Sequence, residues 1–270
     1  MNGDGDSIIS LDPEYPKPRS SKRLRMKRNL RIMWINPGGS SVDDARVRGV
    51  LENVKRPDVG LDVVHLAEGP DNLEYHYYEY LVTGQILDLI RKAEREGYQA
   101  AVIGCFYDPG LREARELVRI PVTAPAEASM QVAATLGHKF SIIVGRGKWV
   151  PKMEDNVNRY GLERKLASFR ILNFTVKRMR REREGLERAV AREARLAVEE
   201  DGAEVIVLGC TVEAGFSRQL MRRLRVPVID PVITSFKYAE LLADLYSKLG
   251  LSHSKIFGYE TPPKEEGWLK

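Results

Sequence analysis

A chain of 270 residues that is 43% hydrophobic and 30% charged, with 14 prolines and 22 glycines, has a globular composition and enough material for one large domain or two small ones. It holds no apolar run of the roughly 18 residues a membrane helix needs and no secretory leader layout, so a soluble, cytoplasmic protein is expected. Two cysteines, and four histidines (His65, His76, His138 and His253) at unrelated spacings, exclude a disulfide framework and offer no zinc ligand set, so no metal is expected.

The net charge of +5 is uneven along the chain. Residues 1–29 hold seven basic and four acidic side chains, which leaves 36 basic and 34 acidic for the rest, a net of +2. With Pro13, Pro16 and Pro18 and little to bury, this segment predicts a solvated extension; an electrostatic contact with RNA, an acidic surface or a neighbouring subunit is the alternative.

From Asn29 onward, short β-rich runs alternate with helical ones. Strands are predicted at Leu30–Ile35, Leu61–Leu66, Gln99–Cys105 and Ile120–Thr123, and a helix over Gly84–Arg95 with Ile86, Leu87, Ile90 and Ala93 on one face. The loop Asn36-Pro37-Gly38-Gly39-Ser40-Ser41 fits neither the dinucleotide nor the P-loop spacing, so no nucleotide is expected there. Tyr75, Tyr77, Tyr78 and Tyr80 read as a helix or loop packed on a neighbour. The second half repeats the plan, with strands near Phe140–Val144, Ser168–Leu172, Glu204–Cys210 and Val226–Ile229. A long charged helix over about Arg180–Glu200 buries Leu186, Ala189, Val190, Ala194, Ala197 and Val198. The basic run Lys177–Arg183 reads as its solvated start, without the aromatic interleaving that nucleic-acid binding needs. Such alternation predicts an α/β fold of two pseudo-twofold related lobes, each a short, mostly parallel sheet flanked by helices, with the active site in the cleft between them.

Two lobes are predicted because the sequence repeats. Ala101-Val102-Ile103-Gly104-Cys105 is followed by Gly110, a charged helix, Ile120-Pro121-Val122 and Pro125; Val205-Ile206-Val207-Leu208-Gly209-Cys210 is followed by Gly215, another charged helix, Val226-Pro227-Val228 and Pro231. The offsets agree within one residue, and the two cysteines hold equivalent places. In open parallel sheets ligands bind beyond the carboxyl ends of the strands, where both would lie. Asp108-Pro109-Gly110 predicts a capped helix start, and nearby amides and helix ends are expected to lower the thiol pKa values. Across a pseudo-twofold cleft, Cys105 and Cys210 would face each other. One as thiolate could remove a proton α to a carbonyl while the other, as thiol, protonates the opposite face, with backbone amides holding the enolate oxygen and no cofactor.

The segments Ile35-Asn36-Pro37, Gly104-Cys105-Phe106-Tyr107-Asp108-Pro109-Gly110-Leu111, Pro125-Ala126-Glu127-Ala128, Leu208-Gly209-Cys210, Pro227-Val228-Ile229-Asp230 and Ser252 to Pro263 together resemble the hydantoin/allantoin racemase branch of the aspartate/glutamate racemase superfamily. The resemblance spans about residues 30–265 and implies racemisation by the two cysteines, with a 5-substituted hydantoin or allantoin as substrate. It also implies lobes of 30–125 plus 232–270 and of 126–231, with the C-terminal helix completing the first. By carry-over, Asn36, Phe106, Tyr107, Thr211 and Val212 would contact substrate and Glu127 would lie near it. Tyr107, Gly38-Gly39, Thr211-Val212-Glu213 and Gly145-Arg146 depart from the branch, all around the expected ligand. Arg146 would suit a carboxylate if it points inward and is otherwise an exposed loop residue. The expected partners are a small-molecule substrate and further copies of the chain, with no membrane and no nucleic acid. The alternatives are an aspartate/glutamate-type racemase or related isomerase on an acyclic acid, and a non-catalytic binding protein of the same fold.

Overall fold

The computed structural model describes residues 30–263, so the expectation for the basic segment 1–29 lies outside the described residues. One parallel sheet is built from β1 (Leu30–Asn36), β2 (Val59–His65), β3 (Ala100–Ile103) and β4 (Val122–Thr123), in the order β2-β1-β3-β4. A second, from β5 (Phe140–Val144), β6 (Leu166–Ile171), β7 (Val205–Leu208) and β8 (Val228–Ile229), has the order β6-β5-β7-β8. The internal repeat is therefore a repeat of topology, strand for strand.

Burial explains the strand sequences. β3, β5 and β7 are buried at every residue and are apolar throughout except for Ser141 of β5, as parallel strands covered on both faces are. The edge strand β2 alternates buried and half-buried residues, and the edge strand β6 carries Arg170, paired with Asp201 at 2.5 Å. β4 and β8 are only two residues long, which limits the edge each sheet presents.

The helices are α1 (Asp44–Glu52), α2 (His76–Arg95), α3 (Leu111–Leu117), α4 (Pro125–Leu136), α5 (Val150–Arg159), α6 (Val176–Arg181), α7 (Arg183–Asp201), α8 (Ser217–Leu224) and α9 (Pro231–Leu249). Two of them cross between sheets. α4 leaves β4 of the first sheet and packs on β7, β5 and β8 of the second; α9 leaves β8 and packs on β3, β1 and β4 of the first. Val232, Phe236, Ala239 and Ala243 of α9 share a core with Ile32, Trp34 and Val102. α4 and α9 also pack on one another, and a larger core runs from α2 through α4 to α7, spanning both sheets.

Two helices differ from expectation. α2 begins at His76, not Gly84, and takes in Tyr77, Tyr78 and Tyr80 with Tyr75 as its N-cap. The long helix is broken at Glu182, whose φ of −112° and ψ of 57° leave the helical region. Its basic start is also not fully solvated. Arg180 reaches Asp43 at 2.6 Å and the Asp71 carbonyl at 2.8 Å, and Arg183 donates to the carbonyls of Val212 and Ala214.

Candidate active site

In each sheet the chain leaves the first strand toward one neighbour and returns on the other side, so the strand order reverses between β1 and β3 and again between β5 and β7. Loops at such a switch point part and leave a crevice at the carboxyl ends. Asn36 ends β1, Cys105 stands two residues beyond β3, and Cys210 two residues beyond β7. All three line one cleft of about 690 Å³, measured to its open mouth.

The cysteine loops are fixed by equivalent devices. Each cysteine follows a glycine that admits no side chain: a Cβ on Gly104 would meet the Trp34 indole at 2.5 Å, and one on Gly209 would meet the Ile143 carbonyl oxygen at 2.5 Å. Each loop is then held by a buried aspartate. Asp108 accepts from the amides of Ala126 and Glu127, both at 2.8 Å, and from the Tyr160 hydroxyl at 2.7 Å. Asp230 accepts from Gly215 at 2.7 Å and caps α9 through Val232 and Ile233 at 3.0 and 3.2 Å. The expectation that Asp108 caps the helix after it is corrected. Gly110 is the N-cap of α3, while the Asp108 carboxyl, on a residue with φ of 52°, turns to the start of α4. Burial pushes that carboxyl up to about 7 despite its three donors.

The thiols behave differently from expectation as well. Both are free and half-buried. The amide of Tyr107 faces Cys105 and that of Val212 faces Cys210, each favouring the thiolate, but burial outweighs them. It pushes Cys105 up to about 12, and burial together with the neighbouring Glu213 carboxyl pushes Cys210 up too. The helices α3 and α8 begin six and seven residues past the cysteines.

Phe106, Tyr107, Thr211 and Val212 line the same cleft, with burial raising the Tyr107 hydroxyl. Asn36 lines it too, inside a chain of hydrogen bonds: it accepts from the Trp34 indole at 2.7 Å and donates to Asp44 at 2.6 Å, whose other oxygen meets His65 at 2.8 Å. Two expectations are corrected. Arg146 is not part of the cleft wall; its guanidinium grips Glu74 at 2.7 Å, and Glu74 is the residue on the wall. Glu127 lines a second, polar cavity and pairs there with Arg115, which also bonds the Tyr259 hydroxyl at 3.3 Å.

The cationic residue on the cleft wall is Arg180, hidden in the basic run that read as solvent-facing. Its Nη2 is spent on Asp43 and Asp71, yet its buried Nε has no acceptor among the described residues, and neither has the indole N–H of Trp149, also on the wall. Leu73, Met153 and Val176 complete an apolar side. Only the interruption of helical periodicity at Glu182 could have signalled that Arg180 turns inward.

A hydantoin racemase from Pseudomonas sp. (strain NS671) is 35% identical over 237 residues, covering 88% of this chain and 94% of that protein. One from Paenarthrobacter aurescens is 34% identical over 238 residues, covering 88% and 99%. The solved structure of allantoin racemase from Klebsiella pneumoniae superposes with a TM-score of 0.82 at 31% identity, covering 87% of this chain and 95% of that one. The sequence model of the Asp/Glu/Hydantoin racemase family matches residues 32–239. With that match across both sheets and both cysteine loops, the chain belongs to the Asp/Glu/Hydantoin racemase family and is a racemase.

Proposed function

We propose that this racemase inverts the carbon α to a carbonyl in a cyclic ureide, a 5-substituted hydantoin or allantoin, using Cys105 and Cys210 as paired base and acid. The observation that carries this reading is that two free cysteines, from equivalent loops of the two sheets, line a single cleft. One sulfur, as thiolate, takes the proton: the C–H bond breaks, an S–H bond forms, and the electron pair moves onto the carbonyl oxygen as enolate. The other S–H bond then breaks as its proton reaches the opposite face of the carbon, and the enolate pair returns to make the new C–H bond. The roles exchange for the other enantiomer.

The cleft's charge supports a neutral ureide over an acyclic diacid. A dianion needs uncommitted cations, whereas Arg146 is paired with Glu74 away from the wall and Arg180 with Asp43. Arg180 and Trp149 line the wall, and the Arg180 Nε and Trp149 indole N–H, both buried, have no acceptor among the described residues; a hydantoin ring that reached them would supply two carbonyl oxygens. The apolar side of Leu73, Met153 and Val176 would take the ring substituent.

The test is incubation of single enantiomers of 5-substituted hydantoins and of allantoin in D2O. Loss of optical rotation with deuterium at the stereocentre is expected, and replacing either Cys105 or Cys210 by alanine should lower racemisation by at least about a hundredfold, as loss of a general acid or base does. Full activity in either variant overturns the paired mechanism. Activity on acyclic amino acids with none on hydantoins or allantoin would instead select an acyclic acid as the substrate.

A further inference from the structure

Glu213 is a buried acid that the two-thiol scheme leaves unused. It closes the short turn that begins at Cys210, its amide donating to the Cys210 carbonyl at 2.9 Å, and its residue exposure is 0%. Neither carboxyl oxygen has a hydrogen-bond donor among the described residues. The amides of Gly209 and Cys210 face the carboxyl, but that of Gly209 is already given to Ile143 at 2.8 Å. The cation whose charge acts on it, Arg183, makes no hydrogen bond to it; its guanidinium bonds the carbonyls of Val212 and Ala214 and lies 4.4 Å over the Phe216 ring.

The remaining charged neighbours add no counter-ion. Asp230 faces Glu213 from the end of β8 and Cys210 faces it from its own turn, both of like charge when ionised. Cys210 in turn senses Cys105 across the cleft and Arg46 of α1, whose Nη1 is bonded to the Thr211 carbonyl at 2.7 Å. A carboxylate in such a place would be a buried charge short of donors and beside groups of like charge, which costs far more than the neutral acid. Burial accordingly raises the Glu213 carboxyl well above its usual range.

We propose that Glu213 is a positioning residue for Cys210: it stands as the neutral carboxylic acid while the enzyme works, and when it ionises its charge holds Cys210 as the thiol, setting the alkaline limit of activity. The proposal rests on the two-thiol reading for its catalytic consequence, but its electrostatic core does not. Two adjacent buried anions repel, so ionising Glu213 must move the thiolate of Cys210 to higher pH, and removing the carboxyl must bring it down.

The decisive measurement is the ultraviolet titration of Cys210 alone, in the Cys105→Ala chain, with Glu213 intact and with Glu213→Gln or Glu213→Met. Both neutral replacements are expected to lower the Cys210 midpoint by at least about one pH unit, a tenfold gain in thiolate at a fixed pH below it. An unchanged or raised midpoint in folded variants overturns the proposal, as does a fall with Gln but not with Met, which would point to a hydrogen bond and not to charge. In chains that keep Cys105, kcat/KM should climb with pH and break where Glu213 ionises, and Glu213→Gln should remove the break. A break that survives in Glu213→Gln also overturns the proposal. If no ureide is racemised, the substrate reading fails while the titration still decides the role of Glu213.

Discussion

The residue whose role is easiest to mistake is the glycine before each cysteine. Gly209 leaves no room for a β-carbon because the Ile143 carbonyl lies 2.5 Å from where it would sit, and backbone cannot swing aside as a flexible side chain can. Gly209→Ala should therefore cost about 1–3 kcal/mol in urea denaturation, the usual penalty of overpacking, and should lower activity by displacing Cys210. A stability within a few tenths of a kcal/mol of the parent would show that the loop yields freely. Both glycines were visible in the repeat, but not the reason for them, since Trp34 and Ile143 are far from them in sequence. Arg146 and Arg180 teach the same lesson in reverse. Each is an arginine among polar neighbours, and only the positions of Glu74 and Asp43 decide which guanidinium reaches the cleft.

At the scale of elements, the two sheets are completed by chain from elsewhere. The segment after α9 runs back over the edge of the first sheet: His253 Nε2 accepts from the Val122 amide of β4 at 2.9 Å, and Ser252, Lys255 and Thr261 bond carbonyls of Arg119, Arg115 and Glu116. Burial, with Arg115 and Lys255 nearby, pushes the His253 imidazole down to about 3. An imidazole whose pKa is lowered on folding stabilises fully above its unfolded value of 6.5, and that contribution is lost as pH falls from there toward about 3. Urea denaturation at pH 7 and pH 5 should show a larger drop for the natural chain than for His253→Gln; equal drops would contradict the assignment. Asp108 works in the opposite sense, since a carboxyl raised to about 7 contributes fully only below its unfolded value of 3.8 and less as pH rises through 7. Comparing each variant with its parent separates the two.

Across the whole molecule, polar contacts bridge the halves: the ion pairs Arg146 to Glu74, Lys152 of α5 to Glu79 of α2 at 2.9 Å and Arg180 to Asp43, and the hydrogen bond from Arg46 to the Thr211 carbonyl. Lys152 and Glu79 are largely shielded, and both act on Cys105, Glu79 raising its thiol and Lys152 lowering it. Lys152→Met should leave Glu79 unpaired, push the Cys105 thiol higher still, and lower kcat/KM near neutral pH by about tenfold, one pKa unit of thiolate. Steady-state racemisation from both enantiomers measures this, and an undiminished kcat/KM would show that the pair serves only to close the cleft.

The sequence by itself determined the alternation of strands and helices, the duplication and the equivalent cysteines, because periodicity, turn residues and repeat spacing are local properties of the chain. The family likeness rested on the same local motifs around Asn36, Cys105 and Cys210. Tertiary structure decided what depends on distant partners. It turned Asp108 to a helix other than its own, and placed Arg180 and not Arg146 on the wall. It also raised both thiols and left the Glu213 carboxyl without a matching hydrogen-bond donor among the described residues. Burial and charge are sums over neighbours brought together by folding, so the pKa of a cysteine, unlike its position at a strand end, is not written in its own segment.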